Sequence, residues 1–371
     1  MKALLKGAVS ATAVALLATA AMAAGTDWTT SGHDLGGQRY SPLTQINKSN
    51  VAGLQIAWTY HLTPAGYSGR ARLAEDIPIV VGNHMYISSP YGEVIALNAT
   101  TGAQEWTFSL PDTDVPAERG VAYWAGAKGD PARIVFGSRM GRLYSLDART
   151  GKPSGGFGDH GIVNLKTPEV MGNTPNYPYG QPAVPIIYKN LIITGAGTPD
   201  QAPNVGAIGD TRAWDAKTGK LVWTFHTVPR PGEFGYDTWG GDSARHRSGV
   251  NVWGYFTIDQ KRGILYMPLG APNSDRVGVA RPGNNLFSSS IVAVDAATGR
   301  YLWHFQVTHH DIWDNDTQDP PVLMDVHKDG KTIPALLTRE QERPGLHPGL
   351  GDGQADLRRR GTRRAAEQGA G

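Results

Sequence analysis

The run His309-His310-Asp311-Ile312-Trp313-Asp314 places two imidazoles and two carboxylates beside an indole. A carboxylate or imidazole held in a pocket can take the proton of a substrate hydroxyl, so Asp311 with His310 beside it is a candidate acid–base pair. The same groups could hold zinc or iron. Neighbours on an extended chain alternate in direction, however, and His309, His310 and Asp311 do not easily share one ion. Arg119 leads the aromatic stretch Val121-Ala122-Tyr123-Trp124, where its charge has to be met by a protein carboxylate or by the carboxylates of a ligand. Glu75 stands just ahead of the strand-like Ile77 to Val81, either as a solvated loop acid or as a ligand contact at a strand end. Asn251-Val252-Trp253 precedes another strand, Tyr255 to Asp259. Its indole is either core or the floor for a flat ring.

These residues sit among copies of one scaffold phrase. Ile291 to Asp295 is a β-branched run, Thr298-Gly299 a turn, and Trp303 leads a second run, which spells strand, tight turn, strand. The phrase recurs at Asn98 to Gly102 with Trp106, at Asp147 to Gly151 with Phe157, and at Asp215 to Gly219 with Trp223. Spacings of roughly fifty to eighty residues belong to solenoids and propellers. Leu54 to His61 is expected to be a further strand, and Ile77 to Ile87 a hairpin turning at Gly82-Asn83.

With 371 residues the chain could hold two or three domains, but the repeats argue for one repetitive domain. A net charge of +2, with 35 Lys and Arg against 33 Asp and Glu scattered along the chain, gives no nucleic-acid footprint. Residues 1-23 have the charged start, apolar stretch and small-residue cleavage pattern of a secretory signal, so the mature chain is expected in the periplasm. There is no cysteine, hence no disulfide and no haem attached through thiols.

The opening Gly36-Gly37-Gln38-Arg39-Tyr40-Ser41-Pro42-Leu43, the segment Arg119 to Trp124, Asn251-Val252-Trp253 and the His-Asp-x-Trp-Asp phrase at His310 to Asp314 together resemble the quinoprotein dehydrogenases, periplasmic enzymes that use pyrroloquinoline quinone (PQQ). The resemblance runs through Thr338. It implies an all-β fold, an eight-bladed β-propeller of tryptophan-docking repeats, of which this chain has residues for about five blades. It implies PQQ contacts from Glu75, Arg119, Asn251 and Trp253, with Asp311 as the base and His310 beside it. Relatives bind calcium through an asparagine where Ala271 stands here, so Asn273, or Ser274 beside it, is the candidate metal ligand. Where relatives place a small hydroxyl residue before the strand at Ile186, Gly180-Gln181 stand instead. Alcohol-oxidising members carry a cysteine pair before the arginine, and this chain has Pro111-Asp112-Thr113-Asp114. That points to the branch acting on sugars, polyols and cyclic acids, with electrons passing to a membrane quinone or a cytochrome.

The pattern stops near Arg339. Residues 340-371 are rich in Arg, Gly and Gln and poor in large apolar side chains, a composition for a solvated, disordered tail. Codons able to encode Gln341 to Gln354 can also, read one base later, spell R-N-G-L-V-F-I-L-D-W-G-T-G-K, a fifth copy of the phrase. A frameshift near Glu340 is therefore the second account, leaving 24-339 as a partial propeller domain. Two other functions remain open: a non-catalytic propeller scaffold in the envelope, and an inactive truncated remnant of the enzyme.

Overall fold

The alternating runs assemble into five antiparallel sheets in the computed structural model, which describes residues 26–172, 176–198, 205–245, 247–317, 319–339 and 344–348. The first sheet holds β1 (Ile79–Val81), β2 (His84–Ser89), β3 (Glu93–Asn98) and β4 (Gln104–Ser109); the second, β5 (Ala122–Trp124), β6 (Arg133–Gly137), β7 (Arg142–Asp147) and β8 (Ile162–Asn164). The third holds β9 (Ile186–Tyr188), β10 (Leu191–Thr194), β11 (Thr211–Asp215) and β12 (Leu221–Phe225); the fourth, β13 (Thr257–Asp259), β14 (Ile264–Leu269), β15 (Ser290–Asp295) and β16 (Tyr301–Gln306). Strands pair in chain order within each sheet, as consecutive hairpins require. The fifth sheet is β17 (Val322–Lys328), β18 (Lys331–Arg339) and β19 (Pro344–Pro348). The propeller blades expected from the repeats are these sheets.

The repeated phrase is a turn and a dock at once. In the second sheet the Asp147 carboxylate accepts the Thr150 amide at 2.8 Å and its hydroxyl at 2.7 Å, and the Gly151 amide returns to the Asp147 carbonyl at 2.9 Å. Asn98, Asp215 and Asp295 hold Thr101, Thr218 and Thr298 in the same way. Gly151 has a φ of +68°, and a Cβ there would lie 2.5 Å from the Trp106 ring. The glycine therefore serves both the backbone and the neighbour. Trp106, from the preceding sheet, lies flat on that turn and donates its indole N–H to the Ala148 carbonyl at 3.0 Å. Trp58 meets Gly102 and Trp223 meets Gly299 by the same close contact, with Phe157 against Gly219. The first four blades are thus docked in succession by aromatic side chains.

The core follows that order. One cluster joins Tyr86 and Val94 of the first sheet to Phe136 and Tyr144 of the second; the next joins Trp124 and Phe157 to Ile192 and Trp214. A third links Ile193 and Phe225 to Leu265 and Val292, and a fourth links Tyr266 and Ile291 to Leu336. The loop 27–39 ties blades distant in sequence: Trp28 pairs with Val80, the Leu35 carbonyl accepts from Ile258, and Gly36 from Leu323.

Leu54 to His61, expected as a strand, has no ladder partner among the described residues, and Ile56 is 86% exposed. The segment is held by Trp58 on the first blade and by the Tyr60 hydroxyl on Gln104 at 2.7 Å. Of the tail, Pro344–Pro348 pairs with β18 as a third strand; the rest of 340-371, like the signal in 1-23, lies outside the described residues. Among the described residues no helix is long and apolar enough to cross a membrane.

Candidate functional site

Arg119 closes the approach to β5, and its neighbours converge from three blades. Its guanidinium pairs with Glu75 at 2.8 Å, lies 5.0 Å from the centre of the Trp253 ring, and donates to the Trp253 carbonyl at 3.4 Å. Its own carbonyl accepts from the Ile77 amide at 3.3 Å and from the Tyr255 hydroxyl at 3.0 Å. Burial pushes the Tyr255 phenol up to about 12, so it stays a hydrogen-bond donor at neutral pH. Beside it Asp76 is half-buried, and desolvation lifts its carboxyl to about 6 although the Ser88 amide and hydroxyl donate to it at 2.9 and 2.8 Å.

Trp253 is fixed by its edge. The indole N–H donates to Asp316 Oδ2 at 2.8 Å, while Asp316 Oδ1 accepts the Ala271 amide at 2.6 Å. Burial raises the Asp316 carboxyl to about 6 against those hydrogen bonds. Beside the ring lies a void of about 10 Å³ bordered by Asn251, Asn273, Asp275, Asp314 and Asp316. Such a volume holds one water or small ion, and oxygen atoms on these side chains suit a hard cation. Gly249, at φ +82°, lets the chain before Asn251 run against 271–273: a Cβ there would be 2.6 Å from the Asn273 nitrogen. Asn251 donates to the Ala196 carbonyl at 2.7 Å and accepts from Thr198 at 3.3 Å.

Glu75, Arg119, Asn251, Trp253 and Asn273 therefore gather at one place. Asp311 and His310 do not border the void. Asp311 is fully buried; Oδ1 accepts the Trp313 amide at 2.9 Å, and Oδ2 accepts the Asn315 amide at 2.8 Å and the Ser289 hydroxyl at 2.7 Å. His310 turns away and bonds the Gly283 carbonyl at 2.8 Å. The carboxylates bordering the void are Asp275, Asp314, paired with Arg276 at 3.4 Å, and Asp316. Asp316 escaped the sequence reading. Its spacing of two from Asp314, which puts side chains on one face of an extended segment, was the available signal.

The other expectations sort in the same way. Gln181 is buried; its side chain donates to the Gly195 carbonyl of its own blade and its amide to the Ser138 carbonyl of the preceding one at 2.8 Å. Asp114 is buried and accepts from the Met140 amide at 3.0 Å and the Tyr144 hydroxyl at 3.1 Å. Among the described residues no three His, Cys, Asp or Glu side chains converge on a metal position. A cation here would therefore draw on amide and ligand oxygens as well as carboxylates. A larger cavity, about 600 Å³, lies along the loop 27–39 between β5, β9 and Tyr255; it does not include the Trp253 face.

The model of a family described as "PQQ: Glucose/ethanol/alcohol dehydrogenase, beta-propeller domain" matches residues 28–342. Quinoprotein glucose dehydrogenase of Gluconobacter oxydans (strain 621H) is 33% identical over 332 residues, covering 84% of this chain and 41% of that protein. Quinate/shikimate dehydrogenase (quinone) of Acinetobacter baylyi is 32% identical over 338 residues, with 84% and 41% covered. The crystal structure of quinohemoprotein alcohol dehydrogenase from Comamonas testosteroni superposes with a TM-score of 0.72 at 30% identity, covering 87% of this chain and 47% of that one. The chain spans less than half the length of the relatives it matches.

Proposed function

The chain belongs to the PQQ glucose/ethanol/alcohol dehydrogenase β-propeller family, and from that membership we propose that it oxidises a CH–OH donor with PQQ held at Trp253. The donor class is a sugar, polyol or cyclic hydroxy acid. The observation that carries this reading is the stacked set itself: Glu75 paired with Arg119, Arg119 over the Trp253 face, and Asp316 gripping the Trp253 edge.

The donor set fits the cofactor. Trp253 offers a flat face to a flat ring, and Arg119 offers a fork to its carboxylates, with Glu75 setting the direction of that fork. When bound, PQQ supplies the hydride-accepting quinone. The void beside the ring suits calcium, with Asn273 and the Asp275 and Asp316 carboxylates as oxygen donors. Asp311 is enclosed and its oxygens are taken, so the base falls to Asp314, which borders the void with its side chain 30% exposed. Asp314 takes the hydroxyl proton of the donor while Trp253 keeps water off one side of the ring. Asp316 holds the ring floor in register. The absence of cysteine supports the sugar and polyol branch over simple alcohols. Export to the periplasm and electron transfer to a membrane quinone or a cytochrome complete the proposal, supported by the character of residues 1-23.

Reconstitution with PQQ and calcium, followed by dye reduction, tests it. Turnover on glucose, polyols or quinate exceeding that on ethanol is expected. No reduction with any donor would remove the activity from this chain, and preference for ethanol would remove the branch.

A further inference from the structure

Two buried arginines tie together the loops that border the void. Arg281 is fully buried and donates to the carbonyls of Ser274 at 3.3 Å and Asp275 at 3.1 Å, to that of Asp311, and to the Asn285 side chain at 3.0 Å. Arg247, 4% exposed, donates to the carbonyls of Asn273 at 2.6 Å and Ala280 at 2.8 Å. The loop carrying Asn273 and Asp275 and the segment carrying Asp314 and Asp316 thus share one guanidinium, that of Arg281. Asp311 completes the arrangement from the other side. Its carboxylate collects the Trp313 and Asn315 amides, which flank Asp314, and is anchored to β15 through the Ser289 hydroxyl just before that strand. Asp314 sits at φ +63°, a conformation that costs a non-glycine residue energy and persists only where neighbours hold it.

We propose that Asp311 and Arg281 are positioning residues: Asp311 folds residues 311–315 into the turn that presents Asp314 to the void, and Arg281 fastens that turn to the 273–275 loop. Neither touches the ring or the donor. The inference rests on the reading of Asp314 as the base. Both charges are enclosed, Arg281 held by carbonyls and the Asp311 carboxylate by amides and a hydroxyl, so each is committed to one geometry by the hydrogen bonds a buried charge has to keep. A carboxylate accepting amides on both of its oxygens fixes the turn in a way a single acceptor does not. Asparagine at 311 keeps one acceptor oxygen and replaces the other with a donor that faces an amide.

The test uses the full chain and reads amide hydrogen exchange by NMR, with and without PQQ and calcium. In the unaltered protein the Trp313 and Asn315 amides are expected to be protected. In Asp311→Ala both exchange at loop rates while Ile291 to Val294 in β15 stay protected, and Asp311→Asn restores protection at one of the two. Arg281→Lys, which retains charge but loses the fork, loosens 313–315 and 273–275 together. Persisting protection of Trp313 and Asn315 in Asp311→Ala would overturn the inference. So would simultaneous loss at β15, which would make Asp311 a residue of the core. In reconstituted protein, Asp311→Asn is expected to lower kcat by about 10²-fold, the scale of an ångström-sized misplacement, with KM and PQQ affinity within about twofold. Asp314→Asn separates the two ideas. If it retains full turnover, the base assignment fails; if it is inactive while Asp311→Asn has normal kcat, only the positioning inference fails.

Discussion

Three acids within six residues have three different tasks, and their surroundings divide the work. Asp311 is spent on amides, Asp316 on the Trp253 edge, and Asp314 is left facing the void with Arg276 behind it. Asp76 shows the cost of burying such a group. Its carboxyl moves from 3.8 to about 6 because burial outweighs the two Ser88 hydrogen bonds. Between those values the folded chain binds more protons than the unfolded one, so its stability falls as pH rises through that window. The full effect corresponds to about 3 kcal/mol. Urea unfolding of the unaltered protein and Asp76→Asn should therefore diverge with pH: acidification from pH 7 towards 4 stabilises the former relative to the latter. Parallel curves would show that Asp76 is not the cause. That Arg119 and Trp253 belong near blade edges was legible from a charge that had to be met and an indole just before a strand; that they meet each other was not. Roles were hard to read within His310 to Asp316, because positive φ at His310 and Asp314 breaks the simple alternation of an extended chain. Which acid faces inward is decided by that turn and not by residue type.

At the scale of elements the repeat was legible because each of its residues has a separate physical duty. Asp or Asn gathers the turn amides, Thr reinforces it, glycine takes the left-handed conformation, and the aromatic residue lies on the next glycine. Bulges fall at the same place in the first, third and fourth sheets, at Ala96/Leu97, Ala213/Trp214 and Ala293/Val294. Gly151→Ala combines an unfavourable φ with a Cβ 2.5 Å from the Trp106 ring, and overpacking of this kind costs about 1–3 kcal/mol. Trp106→Ala removes the dock altogether and should cost about 3–5 kcal/mol. Denaturant midpoints of both variants would fall, Trp106→Ala further; an unchanged midpoint for Gly151→Ala would mean that the aromatic does not rest on the turn. Leu54 to His61 has strand composition without a strand, since a ladder needs a partner that a sequence pattern cannot supply by itself.

On the scale of the molecule, the site depends on blades far apart in sequence. Glu75 and Arg119 precede strands of the first and second blades, Trp253 precedes the fourth, and Asp314 and Asp316 lie between the fourth and fifth. The loop 27–39 holds the first, fourth and fifth together. What the sequence did not convey was this assembly of distant edges, in which a backbone approach such as Gly249 against Asn273 sets the void. The most direct measurement is calorimetric titration of PQQ, in calcium, into the unaltered protein, Trp253→Ala and Arg119→Ala. One equivalent is expected to bind, with affinity reduced about 10-fold or more in each variant, the value of a stacked ring or a charge-assisted fork. No binding to the unaltered protein, or equal binding to all three, would contradict a PQQ site built on Trp253.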